Sequence, residues 1–347
     1  MTDLSTAAAP GTVATRRPGR QRLAWLLAVA AVLGALMVLS VAVGSRAVGW
    51  SDILAALGGS SETLEEAAVT KRIPRTLLAV VVGAALGLAG AVMQGVTRNP
   101  LADPGILGVN MGASLAVITG IAWFGLTSAS SFIWVAIAGA ALAAVFVYAV
   151  GSLGRGGATP LKLALAGTAT SAAFASFITA VVLPRNDIAG GVRSWQIGGV
   201  GGAAFETIRL VTPFLLAGLV VCLLSAKSLN SLALGDDVAA GLGERVALIR
   251  GTAALGAVLL CGASTAVAGP IGFVGLVVPH LCRMLIGVDH RWLLPFSALG
   301  GAILLVAADV LGRIVARPSE IDVGIITALV GAPFFIHVVR RHKVRAL

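Results

Sequence analysis

The sequence predicts an all-α, polytopic membrane protein with about ten transmembrane helices. Hydrophobic residues make up 58% of the 347-residue chain and charged residues only 12%, and the mean hydropathy is +0.98. A water-soluble globular chain does not have this composition. The apolar residues also fall into blocks, most of which reach the ~17 to 25 residues that a helix needs to cross a bilayer.

The apolar blocks give the predicted spans in order along the chain. Short polar stretches, or stretches rich in glycine and proline, separate the blocks, so that each block can form one helix. We place the spans at residues 23–43, 77–96, 106–124, 132–150, 161–183, 208–226, 246–267, 271–286, 292–311 and 323–339. The eighth span is the shortest, and Gly269 and Pro270 in front of it allow unwound backbone where protein or water covers it.

The chain is predicted to form one transmembrane domain, residues 23–347, behind a cytoplasmic N-terminal tail, residues 1–22. A cleaved signal peptide is the alternative for residues 22–44, but their apolar run exceeds the usual ~7 to 15 residues. Most of the 25 Lys and Arg residues fall on the cytoplasmic side when both termini are placed there, and this bias sets the orientation. The net charge of +10 then faces anionic lipid and a cytosolic partner, and it does not indicate nucleic acid.

The sequence does not support an enzyme. None of the four lysines follows a glycine, as a phosphate-binding loop requires, and no nucleophile with its base or cluster of carboxylates stands at catalytic spacing. The three cysteines and four histidines match no metal-ligand pattern, so we expect no metal site and no cofactor.

Few ionisable groups lie within the predicted spans, and Asp309 is the clearest of them. Proton-coupled and sodium-coupled carriers depend on such groups. We therefore expect a partner protein to supply the energy for transport. A secondary carrier that works without ATP is the alternative of another class.

The segment between the sixth and seventh spans, residues 227–245, reads KSLNSLALGDDVAAGLGER and is too polar to cross a bilayer. Its glycines and its capping residues predict short helices. Leu232, Leu234, Val238 and Leu242 would give these helices a small apolar face for a soluble partner. An ordinary solvated loop is the alternative.

Five stretches together resemble the FecCD-type permease family, over about residues 23–340. They are KRIPRTLLAVVVGAALGLAGAVMQG, TRNPLADPGILGVNMGA, GDDVAAGLG, GPIGFVGLVVPHLCRMLIG and ADVLGRIVARPSEIDVGIITALVGAPFFI. The family consists of membrane subunits of binding-protein-dependent ABC importers for iron(III)-siderophores, haem and cobalamin. The first two stretches are most similar to ferric-siderophore permeases, with cobalamin and haem as the alternatives.

The resemblance implies a fold and a set of partners. The fold is the cobalamin-importer type of the type II ABC importers, embedded in the bacterial cytoplasmic (inner) membrane. The partners are a second permease subunit, identical or related, together with two ATP-binding subunits, a substrate-binding protein and the lipid membrane. In this mechanism the chain itself breaks no bond, because the ATP-binding subunits hydrolyse ATP and shift the helices.

The resemblance also implies three groups of functional residues. The group that couples the chain to the ATP-binding subunits comprises Gly235, Asp236, Asp237, Ala239, Ala240, Gly241, Leu242 and Gly243. Asn99, Leu101 and Thr159 match the cytoplasmic gate, although Pro160 replaces the small polar residue that often follows in the family. Arg72, Arg75 and Arg313 match arginines that dock the substrate-binding protein; arginines that extend along helix ends towards the membrane interface are the alternative.

Overall fold

The computed structural model describes residues 19–153 and 159–341. In these residues the secondary structure is helical, with α-helices α1 to α14 and one 3₁₀ turn at Pro104–Leu107. The helices are α1 (Gly19–Ala42), α2 (Trp50–Leu57), α3 (Leu64–Thr97), α4 (Val109–Phe124), α5 (Ala129–Gly151), α6 (Pro160–Val182), α7 (Asn186–Ile197), α8 (Phe205–Leu224), α9 (Ala226–Leu232), α10 (Asp236–Gly241), α11 (Val246–Ala268), α12 (Val274–Ile286), α13 (His290–Val315) and α14 (Val323–Arg341).

The predicted fold class is confirmed, because a helix lies at the place of every predicted span. Among the described residues, seven helices are long and apolar enough to cross a membrane, namely α1, α3, α5, α6, α8, α11 and α13. Three shorter apolar helices, α4, α12 and α14, occupy the third, eighth and tenth predicted spans. Helix α1 begins at Gly19, inside the stretch that we assigned to the tail, and residues 1–18 of that tail lie outside the described residues.

The helices begin at residues that suit a helix N-terminus. The Thr63 hydroxyl accepts a hydrogen bond from the backbone N–H of Glu66, whose carboxylate accepts from the N–H of Thr63 in return, which is a capping box. Ser128 caps α5 in the same way through its hydroxyl. Helix α3 is thereby fixed at an end well before its apolar block, which makes it the longest helix, with 34 residues.

Helix α3 forms the centre of the bundle, with α11 and α13 packed on it. In their most apolar windows, 78% of the residues of α3 are buried within the chain but only 11% of those of α1, so α1 lies at the periphery of the bundle. Glycines bring the central backbones into contact. A methyl group added at Gly83 would lie 2.8 Å from the carbonyl carbon of Gly301, and one added at Gly90 would lie 2.5 Å from that of Gly275. Small residues allow this close approach in a membrane, where packing has to hold the helices together.

Two stretches of irregular backbone explain why α4 and α12 are short. Residues 98–108 turn back into the bundle after α3, so that the Asp103 carboxylate reaches the backbone of Gly275. Residues 269–273 leave the helical path before α12, with positive φ at Gly269 (68°) and Phe273 (69°). Most residues of both stretches are buried or half-buried in the bundle, whereas Arg98, Pro100 and Gly272 are exposed. A membrane protein tolerates irregular backbone where protein covers it. The prediction of a partial eighth helix is confirmed.

Candidate functional site

The segment between the sixth and seventh membrane helices forms the two short helices α9 and α10, as predicted. Gly235 separates them and has φ 114°, a backbone conformation that residues other than glycine rarely adopt. Helix α10 ends in a glycine C-cap: the N–H of Gly243 (φ 85°) donates to the carbonyl of Ala240 at 2.9 Å, and that of Glu244 to the carbonyl of Ala239 at 3.0 Å. This pattern is a Schellman motif. Gly235 and Gly243 therefore set the shape of the segment.

Helix α9 is anchored to the bundle. Leu229 and Leu232 are fully buried, and the side chain of Asn230 bonds the start of α13: its amide donates to Asp289 at 2.8 Å, and its oxygen accepts the N–H of His290 at 2.9 Å. Leu232 therefore points inward, and our prediction that it shares an exposed apolar face with Leu234, Val238 and Leu242 is wrong.

Helix α10 presents an apolar surface away from the bundle. Leu234, Val238 and Leu242 are 64%, 50% and 64% exposed. Asp237, Ala240, Gly241 and Gly243 are exposed beside them, and Gly235 and Asp236 are half-buried. In contrast, Ala239 is fully buried and acts within the chain, by packing α10 onto it. A surface of this kind on a short polar segment suits a protein partner.

Asn99 and Leu101, which we expect at the cytoplasmic gate, lie in the loop of residues 98–108, the gate loop. Hydrogen bonds within the loop fix its shape: Asn99 Oδ1 accepts the N–H of Leu101 at 3.0 Å, and Asp103 Oδ1 accepts that of Gly105 at 2.7 Å. Asn and Asp favour such turns because their short side chains bond backbone two residues on. Asn99 and Asp103 thus shape the backbone of the loop, and both also line a small cavity.

That cavity brings the gate loop and α6 together. Its volume is about 30 Å³, and its lining includes Asn99, Asp103, Leu163 and Ala164, enough for about one water molecule. Thr159 is exposed just before α6 and accepts the N–H of Lys162 at 3.3 Å, so its structural role is that of a helix cap. Residues 154–158 in front of it lie outside the described residues.

Asp103 is an acid of the gate loop that lies outside the site residues expected from the sequence. Burial raises the pKa of its carboxyl group to about 6, against the lowering effect of the hydrogen bond from the N–H of Gly105. The position of Gly275 beside the carboxylate depends on the packing of α12. The acid in a proline-rich loop was visible in the sequence, but its burial was not.

Arg72, Arg75 and Arg313 lie together at the opposite end of the bundle, and their guanidinium groups point inward. Arg72 and Arg313 are only 6% and 1% exposed. Arg72 donates to the carbonyl of Arg46 at 2.6 Å, and Arg313 to the carbonyl of Ser40 at 2.8 Å, so both satisfy carbonyl groups at and just after the end of α1. The positive charges also suit the negative end of that helix.

Two acids complete this arginine cluster. Asp309 is fully buried between Arg75 and Arg313, at 2.8 Å from a nitrogen atom of each, and Glu320 pairs with Arg75. The pKa of Glu320 lies below its usual range, because the bonds from Arg75 and Ser45 outweigh burial. An acid inside an apolar span needs such partners. Its position within such a span is the feature that singles out Asp309 in the sequence. The docking role of the arginines stays a prediction.

The described residues contain no group of three or more His, Cys, Asp or Glu side chains arranged to hold a metal ion. Cys222, Cys261 and Cys282 are buried and unpaired, and each lies in a different helix. The arrangement consists of a short helix with an exposed apolar surface and the gate loop at one end of the bundle, and the arginine cluster at the other end.

Comparison with known proteins gives consistent matches over most of the chain. The FecCD transport family matches residues 29–341. A siderophore transport system permease protein of Bacillus subtilis, YfiZ, is 42% identical over 304 residues, which cover 87% of this chain and 91% of YfiZ. The ferric enterobactin transport system permease protein FepD of Escherichia coli is 43% identical over 305 residues, with the same coverage of 87% and 91%.

A solved structure has the same architecture. It is an inward-facing metal-chelate type ABC transporter, which superposes with a TM-score of 0.78 at 28% identity and covers 92% of this chain and 99% of its own. A multi-pass helical bundle, a short polar segment between its sixth and seventh membrane helices and these matches agree with one another, so the chain belongs to the FecCD transport family and is a transport permease subunit.

Proposed function

We propose that the chain is a membrane subunit of an ABC importer that moves an iron(III)-siderophore complex into the cytoplasm. The names of YfiZ and FepD assign siderophore and ferric enterobactin transport to those proteins, and their similarity extends over most of this chain. In the proposed assembly, a second permease subunit completes the path, two ATP-binding subunits drive it, and a substrate-binding protein delivers the cargo.

The observation that carries the proposal is the exposed apolar surface of α10 next to the gate loop. Leu234, Val238 and Leu242 have no apolar surroundings within the described chain sufficient to cover them. A protein that docks there can move α10 and, through it, the loop that holds Asn99 and Leu101. We assign this end to the cytoplasm and the arginine cluster to the outer side, in agreement with the distribution of Lys and Arg.

A weakly binding path is expected along α6. Thr168, Ser176 and Thr179 are exposed on this helix, and their hydroxyl groups donate to the carbonyls of Ala164, Ala172 and Ala175, one turn earlier. Hydroxyl groups engaged with their own helix leave a small, weakly polar surface. A large chelate can pass such a surface without being held, since conduction requires that the cargo can also leave.

We propose an indirect role for Arg72, Arg75 and Arg313 in docking the substrate-binding protein, in place of the direct contact that the resemblance implies. Arg72, Arg75 and Arg313 hold the backbone after α1 and pair with Asp309 and Glu320. We propose that they shape the outer surface on which the binding protein docks. Charge steering from that surface then falls to arginines with exposed side chains, such as Arg46.

Uptake by the reconstituted importer tests the proposal. The chain, its ATP-binding subunits and its binding protein are placed in liposomes with a defined ferric siderophore, cobalamin or haem as cargo. We expect accumulation of the ferric siderophore only with ATP. Accumulation of cobalamin or haem instead would identify that molecule as the substrate. Uphill uptake by the chain alone without ATP would identify a secondary carrier.

A further inference from the structure

One carboxylate oxygen joins three structural elements at the α10 end of the bundle. Oδ1 of Asp236, the first residue of α10, lies 3.1 Å from Nη2 of Arg98 and 2.8 Å from Nη2 of Arg250. Arg98 follows α3 and starts the gate loop, whereas Arg250 belongs to the beginning of α11. Asp236 therefore connects α10 with the gate loop and with α11.

The backbone at both ends of the Arg98–Asp236 contact has an unusual conformation. Arg98 has φ 51°, one of two positive values at residues other than glycine in the described chain, and the contact also needs the turn at Gly235, with φ 114°. A long side chain in this region is uncommon and has to be held there by its surroundings. The turn at Arg98 directs the guanidinium group to α10 and sends the following residues, Asn99 to Leu101, into the gate.

The two short helices differ in how they are attached to the bundle. Helix α9 buries Leu229 and Leu232 and is bonded to α13 through Asn230. Helix α10 buries only Ala239. A segment with few buried contacts is the one that shifts at low cost, so a push from a partner protein moves α10 relative to α9.

The ion pairs of Asp236 contribute little to folding stability. The side chains of Arg98, Asp236 and Arg250 are 42%, 40% and 32% exposed, and pairs at such positions are largely screened by water and salt. They nevertheless bring the gate loop, α10 and the start of α11 to one carboxylate oxygen, so a movement of α10 strains both contacts.

We infer that Asp236 is a positioning residue for transport: by holding Arg98 it makes the gate loop follow α10, and by holding Arg250 it carries the start of α11 with it. The inference rests on the proposed function, in which α10 receives the movement of an ATP-binding subunit. Arg98 is the residue that connects Asp236 to the gate loop.

The test uses the complete importer in liposomes and compares four variants with the wild type. Asp236→Asn removes the negative charge that Arg98 and Arg250 share. Arg98→Gln breaks only the ion pair between the gate loop and α10 and leaves the residues of α10 unchanged, whereas Arg98→Lys keeps the positive charge. Arg291→Gln is the matched control, because Arg291 is exposed at the start of α13 at the same end of the bundle. Two quantities are measured: cargo transported per ATP hydrolysed, and the rate at which a thiol reagent labels the gate.

The labelling needs one reactive cysteine in the gate loop. Leu101→Cys supplies it in a second set of the same variants that is used only for labelling, because Asn99 bonds the backbone N–H of residue 101, which this substitution keeps. Cys222, Cys261 and Cys282 are buried and react slowly by comparison. Addition of ATP should change the labelling rate of this cysteine in an otherwise wild-type importer.

We expect Asp236→Asn and Arg98→Gln to retain ATP hydrolysis but to transport at least about fivefold less cargo per ATP, in the range of typical coupling energies. The change in labelling rate on addition of ATP should disappear in both variants, persist with Arg98→Lys and equal the wild-type change with Arg291→Gln.

The inference would be overturned if Arg98→Gln transported as much cargo per ATP as the wild type and kept the change in labelling rate on addition of ATP. Asp236 would then serve only the contact with the ATP-binding subunit. This result would count even if Asp236→Asn failed to assemble. The proposed function fails separately: the wild-type importer would show no ATP-dependent uptake.

Discussion

The contact between α3 and α12 allows a sharp test of the packing argument. Gly90 of α3 faces Gly275 of α12, and a methyl group at Gly90 would lie 2.5 Å from the carbonyl carbon of Gly275 and closer still to its oxygen and Cα atoms. Non-bonded heavy atoms prefer about 3.5 to 4.0 Å. Gly90→Ala must therefore separate the two backbones by about 1 Å, since a backbone cannot rotate away as a side chain does.

Gly34→Ala in α1 is the matched control, because no atom lies within 4 Å of a methyl group placed there. Both variants gain the same helix propensity of alanine over glycine, about 1 kcal/mol. The difference between them thus reports packing alone. Inserting a group into a tight contact costs about 1 to 3 kcal/mol, and we expect the upper end because three backbone atoms are involved.

Equilibrium unfolding of the purified chain in mixed detergent micelles measures this difference. We expect Gly34→Ala to be at least as stable as the wild type and Gly90→Ala to be less stable than Gly34→Ala by about 3 kcal/mol. A difference below about 1 kcal/mol would refute the claim that the α3–α12 contact has no room for a side chain.

Three further predictions concern the site. The folded chain holds the proton of Asp103 more tightly than the unfolded chain, because its pKa is raised to about 6, so stability falls as the pH rises from about 4 to 6; Asp103→Asn, which keeps an acceptor for Gly105, should add up to about 3 kcal/mol to the unfolding free energy at pH 7.5 and nothing at pH 4. An equal gain at both pH values would contradict this. Leu242→Glu should abolish co-purification of the ATP-binding subunits without lowering the melting temperature, whereas Ala239→Glu should lower both, because only Ala239 is buried. Arg313→Gln should cost about 1 to 3 kcal/mol of unfolding free energy, because the buried carbonyl of Ser40 loses its donor while Asp309 keeps Arg75 as its partner; unchanged stability with a salt-dependent loss of binding-protein affinity would instead make Arg313 a direct docking residue.

The sequence predicted the site unevenly, and particular residues show why. Gly235 was expected to interrupt the segment between α9 and α10, and it has positive φ there, because glycine adopts that backbone readily. Gly241 was expected to do the same, but it lies inside α10, and Gly243 has the positive φ that ends the helix. Leu232 and Ala239 share the segment, yet both are buried, and composition gave no means of separating them from the exposed Leu242. Helices of six or seven residues are too short for periodicity to identify their buried side.

By itself, the sequence determined that this chain crosses the membrane many times and about where each membrane helix lies along it. A bilayer imposes that outcome locally, because every spanning segment must satisfy its own backbone hydrogen bonds and be apolar over its length. Only the tertiary structure decided how the charged residues are used. Arg313 donates to the carbonyl of Ser40, 273 residues away along the chain, and Asp236 reaches Arg98 only because α10 lies beside the end of α3. Such pairings depend on which faces of distant helices meet, and that is set by the close packing of glycines in the bundle rather than by any local pattern of residues.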